Sequence, residues 1–470
     1  MRPTRSSVSL LAALLVCLAA TLALGGMSTA AGRDPIWTAD FSSLGQDDAP
    51  RDLELRPGGS MVVMTGQRST GGASTDGITA AYDQLTGNEA WSLIDDDGST
   101  DAWRDLAFDP SGERVVLIGR DPDSTGNDDA VVSVVDADTG QPLWRKSKDP
   151  VGEVALTRVE VNPAGNRLIV LGNAFDGSTH TWIASLSAEN GDTKWAAFEG
   201  DDPDEGNRPV PNDLAVGPDG TVYTLATTLR PQGGGGDIHV VAYRGSDGLR
   251  LWARTFDGPS HGPDLGNELA VAPDGKTVFV AGDSERAFAT RGDLLTLALA
   301  SDTGAIRWTR WWNGRPDGFD SGVAIAAAPN SSTVFVAGFT PSITRPDPFR
   351  SNDDWVVLAR DADTGAKQWR KRFDGPVRKV DIPSDIAVAP DGSAVAVTGR
   401  STGRGGDNDV AILAIGSGGE TLWRAREGNP TRDDIGVGVV IGGGRVFVTS
   451  ETLRPAPRLG DVLTTARALH

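Results

Sequence analysis

Val134–Trp144 reads VVDADTGQPLW, and nearly the same phrase returns as RDADTGAKQW at Arg360–Trp369 and as ALASDTGAIRW at Ala298–Trp308. Aligned on the tryptophan, four more copies appear: YDQLTGNEAW ending at Trp91, LSAENGDTKW at Trp195, YRGSDGLRLW at Trp252 and AIGSGGETLW at Trp423. In every copy a glycine stands four residues before the tryptophan: Gly87, Gly140, Gly191, Gly248, Gly304, Gly365 and Gly419. A tight hairpin explains that constancy, because its turn needs a positive backbone angle that glycine adopts without strain. Gly140 and its six equivalents are therefore expected at positive φ.

Fifteen residues before the tryptophan stand Asp76, Asp129, Asp237, Asp293 and Asp354, with His180 in the third copy and Asp409 one residue closer in the seventh. Each opens an alternating apolar strand. Further upstream lies a second hairpin, as in DLAFDPSGERVVLIG from Asp105 and DIAVAPDGSAVAVTG from Asp385, with a Pro-x-Gly turn. Two such hairpins per repeat give four short antiparallel strands, which is a propeller blade. The last copy, from Asp434 through Asp461 to the end, lacks a tryptophan strand, whereas DPIWTADF at Asp34–Phe41 has one to spare in Trp37. The expectation is an all-β, eight-bladed β-propeller over residues 34–470, closed by the N-terminal strand so that no sheet edge stays open.

The pattern Asp-x-x-Thr-Gly-x-x-x-Trp is complete at Asp83/Thr86/Gly87/Trp91, Asp136/Thr139/Gly140/Trp144 and Asp361/Thr364/Gly365/Trp369. It resembles the tryptophan-docking repeat of quinoprotein-type (PQQ-like) eight-bladed propellers. The resemblance implies a girdle in which Trp37, Trp91, Trp144, Trp195, Trp252, Trp308, Trp369 and Trp423 each stack on the neighbouring blade. It also implies, for the dehydrogenases of that family, a quinone in the central channel with a calcium or lanthanide ion and, in many members, an adjacent cysteine pair. No motif outside the repeat matches such a site, so no metal ligand or base is carried over, and a quinone cofactor is not expected.

The first residues, MRPTRSSVS followed by an apolar run to Leu24 and small residues near Ala31, read as a signal peptide over 1–31, which makes the protein secreted or extracytoplasmic. The single cysteine, Cys17, falls inside that segment, so the exported protein has no disulfide and depends on a large core. Loss of Arg2 and Arg5 takes the formal charge from −20 to −22. Such a balance argues against nucleic acid, and no second apolar run offers a membrane span.

Function in a propeller sits on loops held by the ring. The long ones cluster in the fourth to sixth blades, where Asp201, Asp202, Asp204, Glu205, Arg230, Arg286, Arg291, Arg345 and Arg350 would give a rim of mixed charge. That rim suits a protein, peptide or saccharide ligand, while salt bridges among the loops are the plain alternative. Trp311 and Trp312 offer an aromatic shelf or simple packing. Asp121, Asp123, Asp128 and Asp129 place hard oxygen donors in one loop, as calcium requires, without a full calcium-loop spacing. The four histidines, His180, His239, His261 and His470, show neither triad nor metal-ligand spacing. Finally, Asp52, Asp105, Asp213, Glu268, Asp385 and Asp434 each open an innermost strand, either capping their own inter-blade loop or forming a cation-attracting funnel at one channel mouth. The function these features favour is a non-enzymatic binding scaffold, with a quinoprotein-like oxidoreductase or another propeller enzyme with a carboxylate site as the alternative.

Overall fold

The computed structural model describes residues 34–41, 48–70, 74–96, 102–122, 128–148, 153–175, 179–199, 208–229, 236–286, 292–314, 318–341, 352–428, 432–453 and 460–470. Residues 1–31, read as a signal peptide, lie outside them. Eight four-stranded antiparallel sheets make the propeller: blade one spans Asp48–Asp95, blade two Ala102–Lys148, blade three Glu153–Glu199, blade four Arg208–Phe256, blade five Asp264–Trp312, blade six Ser321–Phe373 and blade seven Asp381–Glu427. Blade eight takes three strands from Asp433–Ala468 and its outermost strand from Trp37–Phe41, paired Trp37 with Ala466 through Phe41 with Val462. The ring is closed by the N-terminal strand, as the repeat count requires. Among the described residues no helix is long and apolar enough to cross a membrane.

The tryptophan girdle is complete, and its hydrogen bonds show why tryptophan and glycine repeat together. Each indole Nε1 donates to a carbonyl of the next blade, in its turn for Trp37 to Gln84, Trp91 to Ala137, Trp144 to Ala188, Trp195 to Gly245, Trp252 to Ser301, Trp308 to Ala362 and Trp369 to Ser417, and just past its third strand for Trp423 to Leu469, at 2.8–3.1 Å. Gly140 has φ 69° and a Cβ there would stand 2.6 Å from the Trp91 ring. The other six repeat glycines also have positive φ, and a Cβ on each would press on the preceding blade's tryptophan. Glycine thus serves both the turn and the docking of the ring. In the complete copies Asp136 Oδ1 accepts from the Thr139 amide and hydroxyl, a side-chain turn that Asp83 and Asp361 repeat.

The core lies between blades. One apolar cluster joins Val132 and Val134 of blade two to Val170, Trp182 and Leu186 of blade three, and equivalent clusters follow around the ring. Every innermost strand carries a β-bulge at one fixed place, for example between Pro50 and Asp52, Leu156 and Arg158, and Gly436 and Gly438. A bulge re-aims the side chain that follows it.

Candidate functional site: the acidic channel

The residues at the bulge, one per blade, are Asp52, Asp105, Arg158, Asp213, Glu268, Ala324, Asp385 and Gly438. All but Ala324 line the central channel, a cavity of about 750 Å³ whose wall also includes Glu54 and Glu160. Asp434 does not belong to this ring. It lies four residues earlier on a longer strand, where Asp48, Asp264 and Asp381 are its equivalents, so the acidic set of the channel numbers five at the bulge and not six. Nor do the five open their strands; they sit inside them, along the channel wall.

These carboxylates cap amides, but of the next blade's innermost strand and not of their own loop. Asp52 Oδ2 accepts from Leu106 N at 3.1 Å, Asp105 Oδ2 from Val159 N at 2.7 Å and Asp213 Oδ2 from Leu269 N at 2.8 Å. Glu268 Oε2 accepts from Ile325 N at 2.6 Å and Asp385 Oδ2 from Val439 N at 2.7 Å. In these five blades the neighbouring carboxylate takes the amide that follows the bulge residue, while Leu53 N and Ile386 N donate to Oδ1 of their own preceding residues, Asp52 and Asp385. Loop capping is instead performed by the earlier series: Asp264, Asp320 and Asp381 accept from the amides of Gly258, Gly314 and Gly375.

Seven carboxylates, Asp52, Glu54, Asp105, Glu160, Asp213, Glu268 and Asp385, thus crowd one cavity. Arg158 is the cation among them, with Nε 3.0 Å from Asp213 Oδ1, and Arg51 adds a second cationic group to the lining. Burial, then repulsion from Asp52, Glu160 and Asp385, holds Glu54 well above the ordinary carboxylate range. Burial and Asp52 do the same to Asp105, and burial with Asp213 and Asp385 to Glu268. Burial, then Asp213 and Asp52, pushes Glu160 up to about 8 against the pull of Arg158, and burial takes Asp385 to about 6. Burial opposes the charge on Arg158, yet Asp105, Asp213 and Asp52 outweigh it and raise its pKa. Burial and mutual repulsion thus raise the carboxyls of the channel, with Arg158 and Arg51 as the cations of its described lining.

The sites expected from sequence fall elsewhere. Asp201, Asp202, Asp204, Glu205, Arg230, Arg291, Arg345, Arg350 and Asp123 lie outside the described residues. Asp121 pairs with Asp129 across the central hairpin of blade two, with Asp128 opposite Pro122. Trp311 and Trp312 turn to opposite faces of their strand, one toward the blade-four side and one toward blade six, so they form no common shelf. The Arg286 guanidinium lies 5.4 Å over the Trp311 ring and Arg370 lies 4.6 Å over Trp312. Reading the repeat alone misses Arg158, Glu54 and Glu160. A usable signal is nonetheless present: the bulge residue stands seven positions before the positive-φ turn residue, as in Asp52 and Gly59, Asp105 and Gly112, Arg158 and Gly165, or Glu268 and Gly275.

Comparison with known proteins agrees with this architecture. A family model of PQQ-like repeats, described as outer membrane protein assembly factor BamB, matches residues 75–296. No curated protein matches in sequence. Among solved structures, the quinohemoprotein alcohol dehydrogenase from Comamonas testosteroni is similar at a TM-score of 0.55 and 14% identity, over 92% of this chain and 76% of that one. Sqt1 of Chaetomium thermophilum, bound to the N-terminus of the ribosomal protein L10, is similar at 0.56 and 14% identity over 92% and 99%. A europium-containing methanol dehydrogenase is similar at 0.53 and 12% identity over 92% and 93%. The chain is an eight-bladed propeller, and its residues 75–296 match PQQ-like repeats. At these identities the structural likeness establishes the fold, which dehydrogenases and protein-bound propellers share.

The channel does not fit a quinone of the dehydrogenase type, which is a planar polyanion. Seven carboxylates would face it, against Arg51 and Arg158, and Phe108 is the one aromatic residue among the described lining. No catalytic step through such a group follows from these residues.

Proposed function

We propose that the chain is an exported, non-enzymatic binding module whose acidic channel takes a cationic side chain or chain end of a protein partner. The observation that carries this reading is the set of seven carboxylates around Arg158 in one cavity of about 750 Å³. A lysine or arginine entering there replaces carboxylate–carboxylate repulsion by charge-assisted hydrogen bonds, and the interaction is strong because the wall is only partly solvated. A cavity of this size admits a few extended residues and not a folded domain. A chain end held by a propeller has a precedent of similar fold in Sqt1 bound to the N-terminus of L10. The mixed-charge loops of blades four to six would then widen the recognition surface to the rest of the partner, or to a saccharide.

Titration calorimetry in ~150 mM salt with an arginine-rich hexapeptide, against the same peptide with citrulline at each arginine, tests the reading. Binding of the cationic peptide is expected, together with at least a tenfold loss, about 1.4 kcal/mol, in the Glu54→Gln/Glu160→Gln double variant. Equal binding of both peptides would refute the charge basis. Turnover of an alcohol or sugar with dye reduction, after addition of a quinone and calcium, would overturn the non-enzymatic part.

A further inference from the structure

Away from the channel wall, two blade junctions carry a three-carboxylate cluster built to one plan. Asp237 opens the third strand of blade four, Asp257 follows that blade's outermost strand, and Asp264 opens the innermost strand of blade five. One oxygen from each lies within 4.8 Å of the others. Asp354, Asp374 and Asp381 repeat this between blades six and seven, also within 4.8 Å. The spacing is identical, twenty residues from first to second and seven from second to third.

Acidic clusters are common on surfaces, but the centre of these is not surface. Asp264 and Ser284 are fully buried and face each other across the blade's first hairpin. Asp264 Oδ2 accepts from Gly258 N, while Oδ1 completes no hydrogen bond; nor does Ser284 Oγ, although the hydroxyl lies near enough to Asp264 to ease its ionisation. Both atoms border one small cradle: a Cβ on Gly258 would stand 2.6 Å from that oxygen and 2.7 Å from the hydroxyl. Asp381 and Ser401 repeat the arrangement beside Gly375, again buried and again with Oδ1 and Oγ unbonded, and buried Asp354 has an unbonded Oδ1 as well. Unsatisfied buried carboxylate oxygens cost free energy unless something positive meets them. Arg372 meets Asp354 in the second cluster through Oδ2 at 2.5 Å and leaves Oδ1 without a hydrogen bond. His261 reaches the outer member of the first cluster, with Nδ1 2.6 Å from Asp257 Oδ2.

We propose that these two junctions are calcium sites, each joining the third strand of one blade to the first strand of the next. Three carboxylates and a serine hydroxyl give four hard oxygen donors from separate segments, and water completes the six to eight ligands that calcium accepts in irregular geometry. Magnesium, which demands a regular octahedron and dehydrates reluctantly, fits such a scattered set less well. The junction between them keeps the spacing as Asp293, Asn313 and Asp320, but has one carboxylate fewer, and Arg286 lies 3.5 Å from Asp293. It is not counted as a site.

The test uses the full chain stripped with a chelator, with bound calcium counted by equilibrium dialysis and elemental analysis. Two ions per chain are expected at millimolar calcium, with a rise in melting temperature. Asp257→Asn and Asp374→Asn change exposed members and should spare the fold; each should remove one ion, and the pair should abolish the calcium-dependent rise while leaving melting in chelator unchanged. Glu54→Gln/Glu160→Gln should retain both ions, which separates these sites from the channel and from its proposed binding of a cationic peptide. Fewer than two ions in the unaltered chain, or ions that survive the Asp257→Asn/Asp374→Asn pair, would overturn the assignment.

Discussion

Glu160→Gln should stabilise the propeller at alkaline pH and leave it nearly unchanged at pH 5. Burial and then Asp213 and Asp52 raise this carboxyl from 4.5 to about 8 in the folded chain. A group raised on folding favours the folded state below its unfolded pKa, and that contribution is lost as pH climbs through the folded value. The window therefore runs from 4.5 to about 8. A tenfold change in an ionisation constant is worth about 1.4 kcal/mol, which sets an upper bound of about 5 kcal/mol for Glu160. Its carboxylate still touches solvent in the channel, so roughly half that, about 2 kcal/mol, is the cost at pH 9 that glutamine escapes. For a chain of this length the unfolding entropy makes 1 kcal/mol worth about 1 °C, so the variant should melt about 2 °C higher at pH 9 and within about 0.5 °C of the parent at pH 5. Differential scanning calorimetry across pH 5–9 reads the difference directly. A variant that melts at or below its parent at pH 9 would refute the view that the ring is under electrostatic strain.

Arg158→Met removes the cation facing Asp213 and Asp105 and should destabilise by about 2–4 kcal/mol at pH 8, less at pH 5 where more carboxyls are protonated; denaturant melts at the two pH values check it. Gly140→Val forces a β-branched residue to φ 69° against the Trp91 ring and should cost about 2–3 kcal/mol or more, whereas the same change at solvent-facing Gly220, where a Cβ meets nothing, carries the backbone strain alone; thermal melts of the two variants compare them. Deleting residues 34–41 strips the outermost strand from blade eight and should expose the edge at Val462–Ala466, giving concentration-dependent aggregation by light scattering; a monodisperse deletion variant with unchanged melting would contradict closure.

The architecture is legible in the sequence because its determinants are local. A turn glycine and a docking tryptophan four residues apart must recur wherever a blade meets the next, and Gly140 against Trp91 shows the contact that enforces it. The channel is half legible. Acidic residues at Asp52, Asp105, Asp213, Glu268 and Asp385 stand out, but Arg158 breaks the pattern and Asp434 imitates it, since Asp-Ile-Gly at 434 looks like Asp-Ile-Ala at 385. Only the bulge fixes the true register, and the residue before it carries no signature, being Pro50, Leu156 or Gly436 in different blades, so the spacing to the turn glycine is the one mark it leaves. The junction clusters are hidden in the sequence because their members are twenty and seven residues apart and meet only once two blades pack.

The most direct test of the channel's role is the number of protons exchanged when a cationic peptide binds at pH 7, from calorimetry in buffers of different ionisation enthalpy. Glu160, with a pKa of about 8, is largely protonated there, Glu54 is held well above the usual range, and a bound arginine lowers both. Proton release is expected, up to about one from Glu160, falling toward zero in Glu54→Gln/Glu160→Gln. Proton-neutral binding, or release that survives both substitutions, would contradict the channel as the binding site.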